Sequence, residues 1–166
     1  NSSGADSELQ LMKVLKVQES GVNALGIVLD PPYVLLATGG DSGTLTLDAI
    51  DENLCVVAHE ELSDEFACQV TGVHLIRSAC GWAYIAVGGD QRLKMFHLSV
   101  SGPSENGVPL FSLDLSSTYP SSIPDAQASA VVERSPCADQ RRCYVVSVSG
   151  IGTQVLCLCE RSVSNE

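Results

Sequence analysis

The chain has 166 residues, 45% of them hydrophobic, and carries nine basic against twenty acidic side chains for a formal net charge of −11. That apolar content excludes an intrinsically disordered chain. The shortage of Lys and Arg argues against nucleic-acid binding by this chain alone, because phosphate neutralisation supplies most of that affinity. The longest apolar runs, such as Tyr33 to Ala37, are far too short to span a bilayer. The first ten residues have neither a basic n-region nor the apolar stretch of a signal peptide. The expectation is a cytoplasmic protein with no membrane and no DNA partner.

In chain order, residues 1–8 are polar and read as a frayed N-terminus. Leu9 to Val17 alternates well enough to read as a short strand, with Gly21 following too soon for a helix. Val22 to Leu29 and Val34 to Thr38 are strands separated by Asp30-Pro31-Pro32, a turn that cannot continue a ladder. Asp41-Ser42-Gly43 makes a hairpin, with Gly43 free to take a positive φ. Thr44 to Ile50 and Leu54 to Ala58 complete a four-strand set, and the acidic run His59 to Ala67 reads as a solvated connection.

The same order then returns. Val70 to Ile76, Ala83 to Val87, the Asp90-Gln91-Arg92 hairpin, Leu93 to Leu98 and Leu110 to Leu115 form a second set, interrupted by a polar loop from Ser101 to Gly107. Residues 116–127 are a Ser- and Pro-rich linker without periodicity. Ala128 to Glu133, Tyr144 to Ser149 and Gln154 to Leu158 form a reduced third set, with Gly150-Ile151-Gly152 where the earlier turns carry Asp. The two Gly-Gly-Asp triplets, ending at Asp41 and Asp90, lie 49 residues apart, while the opening and closing segments lie 48 apart. One inserted residue accounts for the difference.

A period in the forties, with strand, strand, tight turn, strand, is the pattern of four-stranded propeller blades. The fold expected is all-β: an incomplete β-propeller of two clear four-stranded blades and one degenerate blade. Their bounds are about 18–58, 68–115 and 128–158, followed by a polar tail over 159–166. A propeller needs four to eight blades, so this chain reads as part of a larger protein.

The chemistry available is sparse. Asp41 and Asp90 are read as structural, since Asx side chains fold back on their own turns. Seven cysteines without any Cys-x-x-Cys pair make zinc and thioredoxin-like sites unattractive. They read as reduced, mostly buried thiols, with a Cys137–Cys143 disulfide as the lesser alternative. His59, His74 and His97 have no ligand-like spacing. No nucleophile, base and orienter can be assembled from the spacing, so neither a catalytic site, a metal nor a cofactor is expected. Basic side chains crowd an exposed turn at Gln91, Arg92 and Lys94, which are the candidates for docking a partner. The pair Arg141 and Arg142 is the candidate for an RNA contact.

Val22-Asn23-Ala24-Leu25 with Leu36-Ala37-Thr38-Gly39-Gly40-Asp41, and Val70-Thr71-Gly72-Val73 with Asp90-Gln91-Arg92-Leu93, resemble the WD-repeat family. Asp48-Ala49 and Phe96-His97 stand where that family usually ends its third strand in Trp-Asp. Followed by Tyr144-Val145-Val146 and Gly150-Ile151-Gly152, the succession is similar to the C-terminal part of WD-repeat auxiliary subunits that pair with a tRNA 2′-O-ribose methyltransferase. The resemblance implies a non-catalytic scaffold that assists methylation of the anticodon wobble nucleotide. S-adenosylmethionine would bind the partner enzyme, and tRNA would be met indirectly or through the full-length protein. The alternative is a WD-repeat module for protein–protein interaction in another assembly.

Overall fold

The computed structural model describes residues 11–78, 81–101, 110–134 and 143–159. Among them there are eleven strands and no helix. The strands are β1 (Val22–Asp30), β2 (Tyr33–Gly40), β3 (Leu45–Ile50), β4 (Val56–Leu62), β5 (Val70–Ser78), β6 (Gly81–Gly88), β7 (Arg92–Ser101), β8 (Leu110–Pro120), β9 (Ala128–Arg134), β10 (Cys143–Gly150) and β11 (Gly152–Cys159). They form two four-stranded sheets, β1-β2-β3-β4 and β5-β6-β7-β8, and a three-stranded sheet, β11-β10-β9. Every neighbouring pair is antiparallel.

The sheets stack, with β1 against β5 and β5 against β9 along one side. Strand alternation sends successive residues to opposite faces, and the second sheet is apolar on both. Val73, Leu75, Tyr84, Ala86, Phe96 and Leu98 pack against Ala24, Leu35, Ala37, Leu45 and Leu47 of the first sheet. On the opposite face, Ala83, Ile85, Val87, Leu93 and Met95 pack against Tyr144, Val146, Val148 and Leu158 of the third. Burial of both faces explains why β6 reads as a continuous apolar run rather than an alternating one. Polar bonds cross the first seam as well: the Tyr84 hydroxyl donates to the Thr38 carbonyl at 3.1 Å, and Trp82 Nε1 donates to Asp30 Oδ2 at 3.2 Å.

The structure corrects four expectations about the elements. Residues 11–18 are not a strand, because no strand among the described residues stands beside them to complete a ladder. The fourth strand of the first sheet runs on to Leu62 through the acidic run, because His59 and Glu61 project to one face and find partners there. Half of the supposed linker, up to Pro120, belongs to β8, whose Thr118 and Tyr119 pair with Lys94 and Leu93. Finally, no residue is inserted between the first two repeats. Val22 pairs with Gly40 and Val70 with Gly88, so the strands correspond at a constant offset of 48. The Gly-Gly-Asp triplet is displaced by one residue along an unshifted framework.

The cysteines differ from the expected picture too. Cys55 and Cys157 are exposed thiols outside any disulfide and Cys68 a partly buried one, whereas Cys143 is disulfide-bonded; Cys137, its expected alternative partner, lies outside the described residues. Cys157 is exposed because no sheet among the described residues stacks on its face of the third sheet, so alternation turns it outward with Val155. No helix among the described residues is long and apolar enough to cross a membrane.

Candidate interaction surface

Corresponding turns of stacked sheets come to the same end of the stack, and here they form a rim. Each is held by a backbone bond to the residue just before an inner strand or its lead-in. Asp41 N donates to Gly21 O at 3.0 Å, Gly89 N to Gln69 O at 2.9 Å, and Ile151 N to Pro124 O at 3.3 Å. By this register Asp41 corresponds to Gly89, Ser42 to Asp90, and Gly43 to Gln91. The third position of the turn takes a positive φ in both, 80° at Gly43 and 63° at Gln91.

The two turn aspartates are therefore not equivalent. Asp41 Oδ1 accepts the Asn23 side-chain amide at 2.6 Å. Asp90 Oδ2 accepts the Ala67 backbone N–H at 3.1 Å, which ties the second turn to the segment leading into β5. Asp90 Oδ1 is buried without a hydrogen-bond partner. Each carboxylate reaches across to another element instead of closing its own turn.

Among the basic candidates, Lys94 is turned inward. Its ammonium lies 2.6 Å from Glu65 Oε2 and 5.3 Å from the centroid of the Phe66 ring, with 12% of the side chain exposed. That charge is satisfied inside the fold. Arg92 is 59% exposed and lies 4.0 Å from Asp90, too weakly coupled to be committed to it. Gln91 is exposed beside it, with its carbonyl accepting the Ser121 N–H at 2.7 Å. Gln91 and Arg92 are thus the presented side chains of this turn, joined on the rim by exposed Ser42 and by Ile151, which is 74% exposed. Arg141 and Arg142 lie outside the described residues.

Two polar constellations were not singled out from the sequence. On the free face of the first sheet, Gln18 Nε2 donates to Thr38 Oγ1, which meets Thr46 Oγ1 at 2.7 Å; Thr46 donates to Asp48 Oδ2, and Asp48 Oδ1 holds His59 Nδ1 at 2.7 Å. Asp48 is 1% exposed, and burial pushes its carboxyl above the ordinary aspartate value against the lowering pull of His59 and Thr46. A cavity of ≈ 280 Å³ lies over this ladder, lined by Lys16 to Glu19 and by Val56 and Glu61. The spacing Thr46-x-Asp48 puts both side chains on one strand face, a signal the sequence did carry. The second constellation is His74 Nε2 at 2.8 Å from Ser129 Oγ, across β5 and β9. Burial lowers the imidazole's pKa, and the pair borders a cavity of ≈ 250 Å³ with Asn23 and Thr71.

Among the described residues, neither brings a nucleophile, a base and an orienting group together. On the side of His59 away from Asp48, Nε2 faces Glu61 Oε2 at 3.9 Å. Among the described residues, no three His, Cys, Asp or Glu side chains are grouped so as to hold a metal ion. What the rim and the ladders offer is a rigid, polar, hydrogen-bonding surface. No family model matches this chain, and no curated protein matches it.

Proposed function

We propose that this chain is a non-catalytic WD-repeat scaffold, part of a larger propeller protein that assists 2′-O-ribose methylation of the tRNA wobble nucleotide by a partner methyltransferase. The observation that carries the scaffold reading is the stack itself. Successive antiparallel sheets are fixed by the same turn-to-inner-strand bond, and their rim presents Gln91 and Arg92. Such a rim suits docking, since an exposed Arg on a rigid turn makes directional contacts with little ordering cost. The tRNA role rests on the sequence resemblance. A net charge of −11 suits contact with a basic enzyme surface better than direct contact with RNA phosphates.

The test is co-expression of the full-length parent with the methyltransferase, followed by an assay of wobble 2′-O-methylation. Loss of methylation in a folded Gln91→Ala/Arg92→Ala variant places a contact on the second turn. A parent that neither binds nor stimulates the enzyme removes the tRNA role.

A second reading is a protein–protein interaction module in another assembly. The Cys143 disulfide favours it, because stable disulfides belong to oxidising compartments more than to the cytosol. Absence of the methyltransferase from the parent's complexes would leave this reading in possession.

A further inference from the structure

The turn between β3 and β4 holds a thiol and an amine side by side. Asp51 builds the turn: its Oδ1 accepts the Asn53 N–H at 3.0 Å and the Cys55 N–H at 2.7 Å. Its backbone N–H donates to the Cys55 carbonyl and its carbonyl accepts the Leu54 N–H, each at 3.0 Å. Leu54 between them takes a φ of 59°, in the left-handed region. An Asp side chain that folds over the following residues fixes a turn against its own backbone. The Cys55 N–H, the largest of the causes, and the Lys13 charge, the smallest, hold the Asp51 carboxyl below the ordinary aspartate value. Cys55 is thus placed by bonds to its N–H and its carbonyl rather than by packing, and its thiol stays exposed.

The amine comes from outside the turn. Lys13 Nζ donates to the Leu54 carbonyl at 2.6 Å and lies 3.6 Å from Cys55 Sγ. The short bond to the carbonyl docks the ammonium, and the thiol is the next group it meets. Lys16, one turn of sequence further on, is directed instead to Glu19 at 2.9 Å. A nitrogen and a sulfur from distant parts of the chain are therefore held just beyond the separation of about 3–3.5 Å at which atoms react. As thiol and amine both are nucleophiles and cannot join. Oxidation of the sulfur makes it an electrophile and removes that bar.

We infer that Cys55 and Lys13 form an oxidation site, at which a hydroperoxide joins Cys55 Sγ to Lys13 Nζ through a sulfur–nitrogen bond. In the first step the thiolate attacks the peroxide. The O–O bond breaks, the hydroperoxide is reduced to water or an alcohol, and Cys55 becomes a sulfenic acid. In the second step the Lys13 amine, having given one proton to solvent, attacks the sulfur. The S–O bond breaks, the S–N bond forms, and a second amine proton leaves with the hydroxyl as water. Sulfenic acids condense with backbone nitrogens by the same chemistry. A thiol reductant reverses the link by attacking the sulfur and returning the amine. The bond ties the lead-in of β1 to the outer part of the first sheet. That lead-in carries Gln18, which bonds Thr38, and Ser20, which donates to Gln18 Oε1 and accepts the hydroxyl of Ser42 on the first rim turn. Oxidation therefore stiffens the support of that turn, and reduction releases it. None of this depends on the tRNA role, so either can fail alone.

The test is a peptide map of the 166-residue chain after brief treatment with hydrogen peroxide, alkylation of the remaining thiols and digestion without reductant. The expected product is a cross-linked species containing Lys13 and Cys55, lighter by two hydrogens than its two peptides together and split by dithiothreitol. Lys13→Arg keeps the charge and the donor but not the nucleophilic amine. In that variant the cross-link is expected to vanish, with Cys55 captured as its sulfenic acid by dimedone. Amide exchange over residues 11–17 is expected to slow about tenfold or more in the cross-linked wild type, as closing a long loop removes opened states. Cys55 recovered as a sulfinic acid, or linked to another residue, with Lys13 unmodified overturns the inference. Equal yields of dimedone adduct in wild type and Lys13→Arg overturn it too. Both side chains are exposed, so the variant is expected to keep its β structure, which circular dichroism checks. Should it not, the wild-type map alone decides.

Discussion

His74 and Ser129 meet at 2.8 Å across the seam between the second and third sheets. At the corresponding place in the first seam, Gly26 lies close against the Val73 backbone, with room for no more than a tight contact to an added side-chain carbon. At this position one seam is closed by near contact of backbones and the other by a polar bridge, and of these two contacts only the bridge titrates. Burial lowers the folded-state pKa of His74 below its ordinary 6.5. Just below that value the unfolded chain binds the extra proton and the folded chain does not. The stability contributed by neutral His74 is therefore complete above pH 6.5 and falls as the pH drops below it. Denaturant midpoints across pH 7.5 to 5 in wild type and His74→Gln isolate this contribution from His59 and His97. The slope for the variant is expected to be shallower, and an unchanged slope refutes the assignment.

Ser129→Ala leaves the imidazole without its partner in a half-buried site. The expected loss is about 1 kcal/mol, typical of one net hydrogen bond, with no change in β content by circular dichroism. A neutral result would show that the bridge fills space without holding the seam.

Gly43 and Gln91 share the left-handed third position of corresponding turns, yet only one is glycine. A non-glycine residue pays about 1–2 kcal/mol there, so Gln91→Gly is expected to raise stability by about 0.5–1 kcal/mol after the glycine's own entropy cost. Gly43→Ala is expected to lower it by at least about 1 kcal/mol, through the same strain and through contact with the Phe66 carbonyl. Thermal denaturation of the two variants is sufficient. If Gln91→Gly gains stability but loses partner binding, the strained glutamine is kept for its side chain.

These turns also show what was legible in the sequence and what was not. Alternation and turn residues located every described strand core, from Val22 to Leu158, and the stacked all-β architecture with them. The repeat register was misjudged because Gly-Gly-Asp was matched as letters. The ladder is fixed instead by hydrophobic faces: Leu35 corresponds to Ala83, both facing the following sheet, and not to Tyr84, which faces the preceding one. Which charges stay free was equally hidden. Lys94 is adjacent to an exposed turn in sequence, but it alternates inward to Glu65, a partner 29 residues away. Long-range pairs such as Asp48 with His59, or His74 with Ser129, depend on strand order, which local pattern does not encode.

The Asp48 carboxyl is buried, and its pKa is raised by desolvation despite its bond to His59. A raised folded-state value means that the favourable contribution is complete below the ordinary 3.8 and is lost as the pH rises through the folded value. At neutral pH the charge is therefore a burden. Asp48→Asn is expected to be more stable than wild type at pH 7, with the difference vanishing near pH 3. Asp48→Ala is expected to be less stable by about 1–3 kcal/mol, because the buried Thr46 hydroxyl and His59 lose an acceptor. Equal stability of Asp48→Asn and wild type at both pH values would show that His59 offsets the desolvation in full.

The thiols separate by exposure and bonding. Cys55 and Cys157 are exposed and outside any disulfide, Cys68 is half-buried with its pKa raised by burial and then by Asp90, and Cys143 is tied in a disulfide. Thiolate, not thiol, is the nucleophile, so native-state alkylation at pH 8 is expected to label Cys55 and Cys157 first and Cys68 more slowly. Cys143 is expected to react only after reduction, which peptide mass mapping reads directly.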